Sequence, residues 1–268
     1  MEPIEITEEN ATEVAAGMSM TSSLIAFQDT MGFETLTSEG TGTYDCPEGG
    51  SITGGLTVDE DPVGVLSTGD LFAVQFDNCA MDLDATINGG ISIQFDTING
   101  DWTVDDVWDV DVEFVIDGLT FSSGPSTGYF DGAWTQNTSF DTGDKTFSLA
   151  GDFTTTLNDG SGYQSAVLNG IVISWAYDAG TGEATYSVDG TFASTELGGS
   201  VTVTTLDPFA ILDTEANPHA GSLQAEGALG STLTFTALDE TFVQIDVDAD
   251  GDGTNEYSVS TTWAAIQD

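Results

Sequence analysis

Long stretches of this chain alternate apolar and polar residues with a period of two, and that pattern restricts the fold more than any other feature. Ile91, Ile93 and Phe95 alternate with Ser92, Gln94 and Asp96. Val110, Val112, Phe114 and Ile116 alternate with Asp111, Glu113, Val115 and Asp117; Ile171, Ile173, Trp175 and Tyr177 repeat the pattern. Leu233, Phe235 and Ala237 follow it, as do Val243, Ile245 and Val247. Successive side chains on a strand point to opposite faces, so each segment has one face to bury and one to leave in water, as antiparallel sheets do. Turn signals such as Asp178-Ala179-Gly180-Thr181-Gly182 and Asn158-Asp159-Gly160-Ser161-Gly162 separate the segments. The apolar faces must be hidden by curling the sheet or by wrapping a helix. The expected fold is mainly β: a large antiparallel up-and-down meander curled into a barrel or half-barrel, with one N-terminal helix packed on or in it. The 268 residues suit one large β-domain, expected over residues 29–268.

Apolar–small or polar–Gly triplets recur at Leu149-Ala150-Gly151, Leu168-Asn169-Gly170 and Val188-Asp189-Gly190. Related triplets stand at Ile87-Asn88-Gly89, Ile116-Asp117-Gly118 and Phe130-Asp131-Gly132. Each glycine either closes a hairpin or sits mid-strand as a kink that lets the sheet curl. Stronger turn signals lie between the first three copies, which favours the kink for those. Pro208 and Pro218 flank a loop that would alternatively set off a C-terminal hairpin unit. Residues 1–28 carry the readable helix: Thr7 is a good N-cap, and Glu8 and Glu9 suit the positive end of the dipole. Ala11, Val14, Ala15, Met18, Leu24, Ile25 and Phe27 recur at roughly helical spacing, so the helix is expected from Glu8 to about Phe27.

Against 46 acidic side chains the chain sets a single basic one, Lys145, for a net charge of −45. Binding to nucleic acid or to anionic membrane surfaces is excluded, because both require clustered Lys and Arg. Nearly every carboxylate must be solvated, bonded to a neutral donor or held by an inorganic cation. The mutual repulsion is relieved by salt, so seawater-like extracellular space or the interior of a halophile is expected. Selection for solubility is the plainer explanation of the charge. Met1-Glu2-Pro3-Ile4-Glu5 is the opposite of a signal peptide, and Met1 is expected to replace a removed leader. Cys46 and Cys79, the two cysteines, suit a disulfide in an oxidising compartment; two buried thiols are the alternative.

The sharpest motif is Asp246-Val247-Asp248-Ala249-Asp250-Gly251-Asp252-Gly253-Thr254-Asn255-Glu256. Carboxylates at alternate positions converge on one ion when glycines let the loop turn, and calcium accepts six to eight such oxygens. An EF-hand fits poorly: counted from Asp246 the twelfth residue is Tyr257, and from Asp248 it is Val259. Asp248-x-Asp250-x-Asp252-Gly253-x-x-Glu256 instead resembles the calcium loops joining β-strands in integrin-type propeller repeats. By position, the resemblance implies Asp248, Asp250, Asp252, Glu256 and the Thr254 carbonyl as ligands; Asp246, just outside the pattern, is expected behind them, supporting the ligands rather than touching the ion. Glu at the ninth place, where Asp is usual, departs from the pattern. The resemblance covers these nine residues and implies no propeller. The expected hairpin spans about 240–264.

Asp101-Trp102-Thr103-Val104-Asp105-Asp106-Val107-Trp108-Asp109 mixes carboxylates with two indoles. It reads as a sheet rim with aromatics turned inward, or as a sugar-stacking site. Asp59-Glu60-Asp61-Pro62 reads as a solvated loop tip or a further cation site. The single histidine, His219, follows Asn217-Pro218 in a loop, and no nucleophile elbow, paired-histidine zinc helix or phosphate loop is present. No catalytic residues are therefore expected. The pattern as a whole resembles acidic β-rich exported proteins of Gram-negative bacteria. A secreted or surface-displayed, calcium-stabilised β-protein with a structural, adhesive or binding role is expected, self-associating or meeting another surface component through sheet edges. The alternatives are a carrier of a lipid or other apolar ligand, and a carbohydrate-binding or carbohydrate-active protein. Because screening carries the charge argument, the melting temperature should rise as salt increases from about 0.1 M to about 1 M; a flat series would contradict it.

Overall fold

The long alternating segments form long strands. The computed structural model describes residues 1–16, 40–57, 67–80, 85–100, 106–158 and 163–267. The strands are β1 (Gly40–Asp45), β2 (Ser51–Thr57), β3 (Leu71–Ala80), β4 (Ala85–Asn99), β5 (Val107–Ser123), β6 (Ser126–Asp141) and β7 (Asp144–Asn158). They continue as β8 (Tyr163–Asp178), β9 (Glu183–Ser194), β10 (Gly199–Leu212), β11 (Ala220–Glu226), β12 (Thr232–Ala237), β13 (Phe242–Asp248) and β14 (Tyr257–Thr262). Their order in the sheet is the order in the chain, β1 to β14. The expected meander is therefore present. Its order is open at both ends, β1 pairing with β2 and β14 with β13. Strand contacts fall into two compact units: Met1–Met31, Gly143–Ser148 and Leu168–Asp268 form the first, Gly32–Thr142 and Leu149–Val167 the second. Neither proline separates them. Pro208 lies inside β10, where shifts of register at Thr205/Asp207 and Asp207/Ala210 accommodate its missing N–H.

In the first unit the apolar faces of β10 to β14 make one core: Val201, Val203, Phe209, Leu223, Leu233, Phe235, Val243, Ile245 and Val247 are buried. Ile6, Ala11, Val14 and Ala15 from the N-terminus and Trp263 and Ile266 from helix α2 (Trp263–Gln267) close over it. The N-terminal helix α1 (residues 11–16) starts later than expected. Asn10 Oδ1 accepts the Thr7 N–H at 2.8 Å, and Asn10 Nδ2 donates to the Glu5 carbonyl at 3.0 Å. These local side-chain bonds hold residues 7–10 as a turn. Val14 N–H then donates to the Asn10 carbonyl, so Asn10 rather than Thr7 stands at the helix boundary. The expected continuation to Phe27 lies outside the described residues.

In the second unit Ile93, Phe95, Val110, Val112 and Phe114 are the buried apolar set, and Trp108 and Trp134 pack against it. Phe114 stacks on Trp134 with centroids 5.0 Å apart. The expected cysteine pair forms a disulfide, Cys46–Cys79, with Cα atoms 5.4 Å apart. Backbone bonds from Glu48 N–H to the Ala80 carbonyl (3.1 Å) and from Ala80 N–H to the Gly49 carbonyl (2.8 Å) fasten the same β1–β2 turn to the end of β3.

The glycine triplets resolve in favour of mid-strand kinks, in all six copies. Gly89, Gly118, Gly132, Gly151, Gly170 and Gly190 fall inside β4 to β9. Register shifts accompany several of them, at Asn88/Gly90, Ile116/Leu119 and, on the neighbouring β3, Phe76/Cys79. A bulge leaves a backbone N–H without its ladder partner, and here an Asx side chain from an adjacent strand accepts it. Asn88 Oδ1 takes Asn78 N–H at 2.7 Å, Asp131 Oδ1 takes Gly118 N–H at 3.0 Å, and Asp189 Oδ1 takes Thr205 N–H at 2.9 Å. The adjoining glycine supplies the conformation. Gly190 has φ 138°, and a Cβ there would stand 2.8 Å from the Gly170 carbonyl oxygen. Asp189→Ala should therefore cost about 1–3 kcal/mol by stranding the Thr205 N–H, whereas Asp189→Asn keeps an acceptor and should cost less. Equal losses of the two variants in urea unfolding would contradict this role.

Candidate metal centre

The β13–β14 hairpin carries the acidic motif at its tip. Val243, Ile245 and Val247 point into the core, which directs Gln244 and Asp246 to the opposite, polar face. At Asp248 the strand ends with its carboxylate buried, 6% exposed. Asp248 organises the loop: Oδ1 accepts Gly251 N–H at 2.7 Å and Asp252 N–H at 3.2 Å, and Oδ2 accepts Gly253 N–H at 2.7 Å. Gly251, with φ 74°, makes the sharp turn. A Cβ there would lie 2.9 Å from the Gly230 carbonyl oxygen, so the loop also depends on close backbone contact with the neighbouring turn Ala228–Gly230.

Asp250 Oδ1 accepts Asp252 N–H at 3.2 Å, and Asp252 Oδ1 accepts Thr254 N–H at 2.8 Å. Glu256 reaches back across the loop, its Oε2 accepting Ala249 N–H at 2.7 Å. Asp248, Asp250, Asp252 and Glu256 each thereby offer a carboxylate oxygen, and these four atoms lie within 4.8 Å of one another. Two metal–oxygen bonds of about 2.4 Å placed end to end span about 4.8 Å, so the spacing suits one shared calcium-sized ion. Each carboxylate retains lone pairs beyond the N–H bonds it accepts. Without a cation, each pair of charges at this separation repels by about 1 kcal/mol even at the dielectric of water.

Four of the residues expected from the sequence are thus brought together. Thr254 is exposed, and its N–H is engaged by Asp252. Asp246 stands outside the group because it lies two residues back along the strand, opposite Ser258 on β14. Its Oδ1 accepts Ser258 Oγ–H at 2.6 Å and Gln244 Nε2–H at 3.1 Å.

The loop is also joined to the N-terminus, a connection that motif reading missed. Ala228 N–H donates to the Ile4 carbonyl at 2.6 Å, and Ile6 N–H donates to Ser231 Oγ at 2.8 Å. The turn under Gly251 therefore holds the segment that leads into α1. Leu229 adopts a left-handed conformation there, φ 60°, with its side chain 83% exposed. Only the proximity of Gly227 and Gly230 in the sequence hinted at a constrained turn.

Elsewhere the carboxylates meet neutral donors. Asn99 Nδ2 donates to Asp109 at 2.9 Å, Asn137 Nδ2 to Asp111 at 2.7 Å, and Tyr177 Oη–H to Asp213 at 2.8 Å. That last bond raises the Tyr177 pKa above the usual phenol value. Trp108 stacks on Phe140 at 6.0 Å and packs inward, as a sheet rim would have it. Asp101 to Asp105 and Asp59 to Pro62 lie outside the described residues.

His219 meets two carboxylates, with Nδ1 2.6 Å from Glu215 Oε2 and Nε2 3.8 Å from Glu183 Oε2. Glu215 also accepts Leu212 N–H at 2.8 Å. That backbone bond, then the contact with His219, holds the Glu215 carboxyl below its usual pKa despite some desolvation. His219 is a staple of the loop before β11.

Comparison with protein-family profiles, with curated proteins and with solved structures returned no match for this chain.

Because Glu215 titrates lower in the folded chain, its contribution to stability is present above the ordinary carboxyl value of about 4.3 and is lost as pH falls through the folded value. The stability gap between wild type and Glu215→Gln should narrow below about pH 4.3 in urea melts; a gap independent of pH would contradict the assignment.

Proposed function

We propose that this is an exported, calcium-stabilised β-protein with a structural or binding role, whose hairpin loop 248–256 grips one calcium ion. The observation that supports this reading is the convergence of Asp248, Asp250, Asp252 and Glu256 within 4.8 Å, at the places the calcium-loop pattern assigns. An all-oxygen donor set in a glycine-jointed loop favours calcium over magnesium, which demands near-ideal octahedral geometry and keeps several waters. The ion would neutralise charges that otherwise repel and so stabilise the hairpin, its partner turn Ala228–Gly230 and the N-terminal segment that turn holds. Asp248 would be the central ligand, Asp250, Asp252 and Glu256 would close around the ion, and the Thr254 carbonyl would complete the set.

Export is supported by the Cys46–Cys79 disulfide, which suits an oxidising compartment. No helix among the described residues is long and apolar enough to cross a membrane. The strong negative charge fits a salty or divalent-rich exterior, where repulsion is screened.

Isothermal calorimetry should show saturable uptake of about one calcium per chain, and a higher melting temperature in calcium than in chelator. Asp250→Ala should abolish most of that uptake while Asp246→Asn leaves it in place. No heat of binding by the wild type, or equal uptake by Asp250→Ala, would overturn the reading.

A further inference from the structure

The last strand is an uncharged edge. β14 reads Tyr-Ser-Val-Ser-Thr-Thr, without a charge, a proline or a bulge in its register with β13, although the chain carries 46 acidic residues. Sheet edges in natural proteins are ordinarily guarded by charges, prolines, bulges or a covering element, because unpaired backbone groups accept another strand. Among the described residues, β14 pairs with β13 alone.

The ladder shows which groups face outward. Trp263 N–H donates to the Thr241 carbonyl at 3.1 Å, continuing the register that pairs Thr261 with Val243 and Val259 with Ile245. Bonded and non-bonded pairs alternate along an antiparallel ladder. Ser258 and Ser260 therefore direct both N–H and C=O away from β13, and Thr262 directs its N–H the same way. Ser258 and Ser260 are exposed, while Tyr257 and Val259 pack on the core at the opposite face.

We propose that β14 is an assembly edge that pairs antiparallel with β14 of a second copy of this chain, Ser260 lying opposite its own counterpart. That register sets Ser258 opposite the partner's Thr262 and uses every outward group of the strand except the Ser258 N–H. It also answers the charge problem. The acidic loops preceding β14 fall at opposite ends of the new pair, their Glu256 residues eight positions or about 27 Å apart, well beyond the screening length of about 8 Å at physiological salt. Pairing β14 with β1 of another copy is less favourable: β1 ends on Asp45, which an aligned antiparallel pairing brings beside Glu256. The self-pair closes as a two-fold dimer, whereas pairing with β1 runs on as an open ladder.

The proposal names a partner for the binding role given above and stands on the strand rather than on the cation. Sedimentation of the full chain at about 1 M salt, where charges are screened beyond about 3 Å, in calcium and separately in chelator, tests it. A concentration-dependent dimer in either condition is expected. Ser260→Glu sets two carboxylates opposite each other and should weaken the dimer at least about tenfold, with an unchanged circular dichroism spectrum. Mixing Ser260→Glu with Ser260→Lys should restore a mixed dimer. A wild type that stays monomeric in both conditions, an open ladder, or a Ser260→Glu dimer as tight as wild type would overturn it. Because uptake of calcium is read separately by calorimetry, the two readings fail independently.

Discussion

A chain with 46 carboxylates and one lysine cannot satisfy its charges by ion pairing, and much of the local structure answers that shortage. Carboxylates accept from backbone N–H groups at bulges and turns, from amides across strands and from hydroxyls. Asp131, Asp189 and Asp248 illustrate the first kind, Asp109 and Asp111 the second, Asp207 and Asp213 the third. Such bonds are charge-assisted and stronger than neutral ones, but they leave the negative charge in place. The loop 248–256 differs because its carboxylates also face one another.

Bulges and the acidic loop use one device. A backbone distortion exposes N–H groups, a neighbouring Asp or Asn accepts them, and glycine supplies the conformation. In the strands that device bends the sheet at Asn88-Gly89, Asp117-Gly118 and Asp131-Gly132. At the hairpin tip it wraps three N–H groups around Asp248 and aims the remaining oxygens of the loop inward. The first unit then ties this tip to its own N-terminus: Gly251 touches Gly230, Ala228 bonds Ile4, and Ile6 is wholly buried in the core that α1 covers. Neutralising the loop is thereby linked to holding the chain's first residues.

Strand periodicity was legible because each long strand has one buried face, as in Val110, Val112 and Phe114. The mid-strand place of the glycine triplets was legible for the regular copies, since turn signals already stood between them. The copies at Gly89, Gly118 and Gly132 were ambiguous by composition, because Asn-Gly and Asp-Gly serve hairpins and bulges alike. What distinguishes them is the cross-strand acceptor, which sequence does not display. Thr7 misled as a helix cap because Asn10 competes for the same turn through its side chain. Alternation along Asp248, Asp250 and Asp252 marked the cluster, yet the same alternation drew in Asp246, which Ser258 and Gln244 engage instead. The partner turn Ala228–Gly230 lies far from the motif in sequence, and no local pattern connects the two.

The most direct test is a crystal structure of the chain grown in millimolar calcium. The account predicts an ion in the loop at about 2.3–2.6 Å from oxygens of Asp248, Asp250, Asp252 and Glu256 and from the Thr254 carbonyl, with the Ala228–Gly230 turn unchanged. A loop without an ion under those conditions, or one whose carboxylates swing outward to solvent, would contradict it.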